Sequence, residues 1–354
     1  FISAKVKVFS LSECPFMDRI RLYHFSPFAY LILTACGGGG GSSSQNLQFG
    51  GNIIKGPLSN ATVFVDYDGD GILDSGEPST KTDSNGAFTL TSTSSTAQIV
   101  ATTDANTIDT STGQSLAGVI LKAPAGSKVV SPSSTLMQEG NLTATQVASV
   151  LGLDGVDILN FNPYASGVDA ATALKVEKTA QQLMNTVKSI AAAGEGAGAT
   201  ASTSFASALE SVVDVIKTKA SSPGSVIDFT NTTDLNAIKT TASTKFTGKV
   251  TNKTAFDTVM TSVVTSVKNV NDTIKSVTDL TSDATKNTFA NTVTLTNQVK
   301  TAAEAEVSSP GSSNIQFTDT SFANSAAGNA APTALSLSSL SISEAASSLN
   351  VGSL

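Results

Sequence analysis

Tryptophan is absent, and the 354 residues include one histidine and two cysteines. Each scarcity removes a class of chemistry. The one histidine, His24, lies in an N-terminal stretch that reads as a removable leader, which leaves the remainder without an imidazole. That excludes a Ser-His-Asp site, the commonest general base, and the usual zinc and copper ligand. Cys14 also precedes the expected cleavage point, so Cys36 has no partner for an intrachain disulfide. Charge is sparse, at 14% of residues, and its balance is −7. Removing residues 1–35 takes away Lys5, Lys7, Arg19, Arg21, Glu13 and Asp18, leaving 17 basic against 26 acidic residues. An acidic chain repels phosphate backbones, so nucleic acid is not an expected partner. The run "GGGGGSSS" after Cys36 lacks the lysine of a phosphate loop. Carboxylate pairs outside one loop are few. Together these absences predict that the chain is not an enzyme.

What is present is concentrated in "DYDGDGILDSGE", Asp66 to Glu77, which packs five acidic residues and three glycines into twelve positions. Like charges this close repel unless something positive sits among them. Asp66, Asp68, Asp70, Asp74 and Glu77 occupy places one, three, five, nine and twelve of an EF-hand-type loop. Gly71 takes the sixth, where the chain turns sharply, and Ile72 the seventh, where a backbone carbonyl is the ligand. Calcium takes six to eight hard oxygens, and alternating aspartates with a closing glutamate suit that shell. Magnesium, which wants a tight octahedron and keeps its waters, fits less well. The competing reading is a solvated acidic turn with no ion. Leu73, at the eighth place, is expected to pack the loop onto the core. Pro78 follows Glu77, and "TVFV" before the loop reads as strand. The loop is therefore expected between strands, with a structural role, and not within the helix-loop-helix of a soluble calcium sensor.

The N-terminus reads as an address. The chain opens on Phe1, and Met17 is the better start. Arg19 and Arg21 form a basic region, and Phe25 to Ala35 an apolar core too short to span a bilayer. "LTAC" then resembles the bacterial lipobox. The resemblance implies cleavage before Cys36 and acylation of that residue, which would anchor the protein to a membrane; Gly37 after the cysteine resembles the outer-membrane sorting signal. Each buried lipid CH2 contributes roughly 0.8 kcal/mol, so two or three chains hold stably. Residues 36–51 are expected to be a glycine- and serine-rich tether.

Between 52 and 125, short strand candidates alternate with Gly, Pro and Asn: Ala61 to Val65, Ala87 to Thr91 entered through "DSNG", "AQIVATT" and "LAGVILKAP". They predict a small β-sandwich. "GPLSNATVFVD" with "KTDSNGAFTL" resembles the carboxypeptidase-regulatory-like and collagen-adhesin B-type modules of bacterial surface proteins, which implies a transthyretin-like sandwich. From 126 to 307 the pattern turns helical. "SPSSTLMQEG" and "TATQVASVLGL" read as short helices, the second with a Thr143–Gln146 capping box and a stop at Gly152. Val176, Ala180, Leu183, Met184, Val187 and Ile190 share a face, and Phe205, Leu209, Val212, Val213 and Ile216 form a second. Phe256, Met260, Val263, Val267, Val270, Ile274 and Val277 step by four and three. A last helix is expected over 283–307. The seam reads as the core of a helical bundle; an intermolecular coiled coil is the sharper alternative, with few charged pairs to set its register.

Residues 308–330 read as a polar linker. "APTALSLSSLSISEAASSLNVGSL", 331–354, resembles the opening of a cadherin-like repeat, and the likeness implies that Glu344 serves a second calcium site whose partner acids would lie beyond residue 354. The expected architecture is multidomain α+β: sandwich, bundle and the start of a repeat. The expected function is that of a calcium-binding, lipid-anchored protein of the bacterial outer membrane with a structural or adhesive role, meeting a cell-surface or self-association partner. The alternative is the anchoring and spacer region of a larger secreted or periplasmic enzyme or substrate-binding lipoprotein.

Overall fold

The computed structural model describes residues 46–315. The leader, Cys36, Glu344 and the cadherin-like stretch lie outside the described residues. The chain forms β1 (Leu47–Ile53), β2 (Leu58–Ser59), β3 (Thr62–Asp66), β4 (Ser79–Lys81), β5 (Ala87–Ser92), β6 (Gln98–Thr102), β7 (Ile108–Asp109), β8 (Gln114–Ser115), β9 (Ile120–Ala123) and β10 (Val129–Val130). Helices follow: α1 (Pro132–Gly140), α2 (Ala144–Val150), α3 (Ala170–Gly196), α4 (Ala201–Ala220), α5 (Thr232–Lys245), α6 (Lys253–Ser276) and α7 (Asp283–Ser308). Among the described residues the fold is mixed α+β, small open sheets joined to a region of seven helices. Among the described residues no helix is long and apolar enough to cross a membrane.

Three small sheets carry the β part, ordered β10-β1-β5, β2-β7-β8 and β4-β3-β6-β9. In the last, β3 lies between β4 and β6, with Val63 opposite Thr80 on one side and Ala101 on the other. Val63, Phe64 and Val65 are fully buried, so both faces of β3 are covered. β-Branched and aromatic residues suit such a strand. The "DSNG" turn closes as expected: Asp83 accepts the N–H groups of Asn85 and Ala87 at 2.8 and 2.9 Å, and Gly86 takes φ +72°.

Two boundaries differ from the sequence expectation. β1 begins at Leu47, inside the stretch read as tether, because Leu47–Asn52 pairs antiparallel with β5. Gly51 pairs with Phe88 in this strand, and it is glycine because a side chain there would collide with the Lys128 carbonyl. The boundary at 125/126 falls inside the first sheet, since β10 returns parallel to β1, Asn52 opposite Val129.

The helices bury the stripes that the spacing picks out. Leu183, Met184, Val187 and Ile190 on α3, Phe205, Leu209, Val212, Val213 and Ile216 on α4, and all seven seam residues of 256–277 are buried. The capping box at Thr143 and Gln146 is formed. One apolar core runs from Ile53 in β1 through to Ala303 in α7, without a gap between sheets and helices.

Candidate metal centre

The acidic loop hangs between β3 and β4, with strands on both sides and no flanking helix. Asp66 is the last residue of β3 and is 1% exposed. Its position is fixed from three directions. Oδ1 accepts from Gly69 N at 2.7 Å; Oδ2 accepts from Gly71 N at 2.8 Å and from Gln98 Nε2 at 2.7 Å. Burial opposes the charge on Asp66, but these hydrogen bonds from Gln98, Gly69 and Gly71 outweigh it and hold its carboxyl below the usual range. Gly71 takes φ +79°, a conformation that side chains with a Cβ disfavour, which is why the sixth place is glycine.

Asp68 and Asp70 follow the same local logic. Asp68 Oδ1 accepts from Asp70 N at 3.2 Å, and Asp70 Oδ1 from Ile72 N at 2.7 Å. Glu77 reaches back across the loop: Oε1 accepts from Tyr67 N at 2.7 Å and Oε2 from Asp74 N at 3.0 Å. The loop's own N–H groups thus offset much of the repulsion between its acids. One carboxylate oxygen each from Asp66, Asp68 and Asp70 lies within 4.8 Å of the others, close enough to share one cation. Asp74 and Glu77 stand outside that convergence. Desolvation pushes the carboxyl of the exposed Asp74 up, and the negative charges of Asp70, Asp68, Glu77 and Asp66 push it further.

Leu73 does not pack against the core as its place in the loop predicts. Ile72 is 63% exposed and Leu73 is 40% exposed, so neither anchors the loop to the core. Asp66 does that instead, through Gln98 of β6. Beneath Gly71 lies the ammonium of Lys122, itself paired with Glu139 at 2.8 Å.

A second polar group was invisible in the sequence. Lys55 and Asp109 form a buried ion pair at 2.9 Å, and Asp109 also accepts from Ser111 N and Oγ at 2.9 and 2.6 Å. Gly56, at φ +68°, is required beside it because a side chain would strike Asp109. Nearby, Glu177 is fully buried in α3 and bonded to Gln181 at 2.7 Å. A lone lysine after "NII" and a glutamate on an otherwise amphipathic helix carry no spacing signal that would have united them.

The arrangement of Asp66, Asp68 and Asp70 can hold a metal ion through one carboxylate oxygen from each. Comparison with protein-family models, with curated proteins and with solved structures finds no match to this chain.

Proposed function

We propose that residues 66–77 form a calcium site that stiffens the β part of a lipid-anchored bacterial surface protein with a structural or adhesive role. The observation that carries this reading is the convergence of Asp66, Asp68 and Asp70 on one point of a loop whose turn glycine is already in the left-handed conformation. Hard carboxylate oxygens in this number favour calcium over transition metals, which select nitrogen and sulfur ligands. The exposed rim of the loop, with its many oxygens, favours calcium over magnesium, which demands a tighter octahedron. Its place between strands β3 and β4 supports a bracing role. A sensor would need helices on both sides to transmit the change. The transthyretin-like form of the sandwich, acylation of Cys36 and the cadherin-like opening with Glu344 belong to the same proposal and rest on the sequence resemblances.

The test is thermal melting of the chain with calcium, magnesium or chelator. At ten to a hundred times a dissociation constant typical of extracellular modules, calcium should stabilise the protein by about 1.4–2.7 kcal/mol, and magnesium by less. A melting temperature indifferent to 10 mM calcium, a concentration chosen at roughly ten times the weakest such constant, removes the proposal.

A further inference from the structure

A cavity of about 190 Å³ lies between the β7–β8 hairpin and helices α3 and α7. Leu116, Met184 and Phe289 supply apolar wall, and the charged groups that line it are Lys55, Lys188 and Asp109. Two ammonium groups therefore face one carboxylate. Asp109 is already committed to Lys55. Lys188 Nζ donates to the Ala117 carbonyl at 3.1 Å and has no acidic partner at ion-pair distance among the described residues. The acid whose charge reaches it, Glu195, is held by Lys300 at 3.0 Å. Burial, reinforced by the charge of Lys55, pushes the Lys188 ammonium down to about 8. A half-buried cation is thus kept where its charge is penalised and no anion answers it.

Asn185 stands three residues before Lys188 on α3, on the same helix face, and lines the same cavity. Its amide orientation follows from its neighbours. Asn271 Nδ2 donates to the Phe229 carbonyl at 2.9 Å, so Asn271 Oδ1 is the end that accepts Asn185 Nδ2, also at 2.9 Å. Asn185 Oδ1 is then the free end; it is buried and accepts no hydrogen bond. Leaving such an acceptor unmet costs about 1–3 kcal/mol.

We propose that this cavity binds a small amphipathic hydroxycarboxylate. Its carboxylate pairs with Lys188, its hydroxyl donates to Asn185 Oδ1, and its hydrocarbon body packs against Leu116, Met184 and Phe289. The size agrees: benzene fills an engineered cavity of about 150 Å³, and this one leaves room for a charged group besides.

The probe is 4-hydroxybenzoate, with 4-hydroxybenzamide as its neutral counterpart, titrated into the chain labelled with 13C at the methionine methyls. Met184 lies in the cavity wall, while Met137 and Met260 lie elsewhere and serve as references. The expected result is a saturable shift of the Met184 methyl alone, with the carboxylate binding at least tenfold more tightly than the amide. Lys188→Gln should remove that tenfold preference and leave amide binding unchanged. Val293→Phe, which fills the cavity from α7, should abolish the Met184 response to both. A Met184 methyl that does not respond, or equal affinity for carboxylate and amide in the unmodified chain, overturns the proposal whether or not either variant folds.

Discussion

Glu177 is the residue most at odds with its surroundings. It is fully buried, one oxygen is satisfied by Gln181, and the other has no hydrogen-bond partner. Burial, followed by the nearby charge of Asp109, raises its carboxyl to about 7, against hydrogen bonding from Gln181 and the charge of Lys55. The raised value fixes the sign of the pH dependence. The folded protein holds this proton more tightly than the unfolded chain, whose ordinary value is near 4.5. The contribution of Glu177 is therefore fully present below about 4.5, falls as pH rises, and is gone above about 7, a loss of roughly 3 kcal/mol. Glu177→Gln keeps the shape and removes the charge. It should leave stability at pH 4 nearly unchanged and raise it at pH 8, read as the difference between urea midpoints of variant and parent. A variant less stable at pH 8 than the parent would mean that the ionised carboxylate is satisfied after all. The buried tyrosine beside it, Tyr164, is driven by burial and by Glu177 away from ionising, so it takes no part in this titration.

At the scale of elements, α3 and α7 show how glycine can be a packing residue inside a helix. Gly196 closes α3, and a Cβ there would run into the Lys300 carbonyl and Ala303 of α7. Helix propensity alone says that Gly→Ala gains about 1 kcal/mol. Contact with a backbone carbonyl says the reverse, because overpacking typically costs about 1–3 kcal/mol and a neighbouring helix cannot move aside cheaply. Gly196→Ala is expected to lower stability in denaturant titration; a gain would show that α7 yields freely. The same stretch explains what the sequence reveals and what it hides. The apolar stripe stops at Ile190, yet α3 continues to Gly196, and Gly194 and Gly196 admit Phe246 and α7 at close range. Strands β3, β5, β6 and β9, and helices α3, α4, α6 and α7, are legible because their apolar residues recur at periods of two or 3.6. α5 is not, since only Leu235, Ile238 and Ala242 of its residues are buried. β1 is hidden by its glycines, whose meaning depends on a carbonyl from Lys128, far along the chain. The grouping of Asp66, Asp68 and Asp70 is legible because their spacing is local. How Glu77 closes the loop onto Tyr67 and Asp74, and how Gln98 seats Asp66, depend on tertiary placement that spacing alone does not carry.

At the scale of the whole molecule, sheets and helices share one core, and polar contacts stitch the same boundary. Lys122 N donates to Thr135 Oγ1 at 2.9 Å, joining β9 to α1, and Lys188 joins α3 to the Ala117 carbonyl. A chain so connected should unfold as a unit. Differential scanning calorimetry is expected to give a single endotherm over the β and helical parts; two separated transitions would show that the sheets and helices are independent. Because the loop belongs to that unit, calcium should shift the helical circular dichroism transition as much as any signal from the β part.

The most direct measurement is isothermal titration calorimetry of calcium into the chain and into its Asp68→Asn, Asp70→Asn double variant. The expected result is one calcium per chain, with a dissociation constant on the order of 10⁻⁴–10⁻³ M, lost in the double variant. Absence of saturable heat in the unmodified chain, or equal binding by both, would contradict a calcium centre built on Asp66, Asp68 and Asp70.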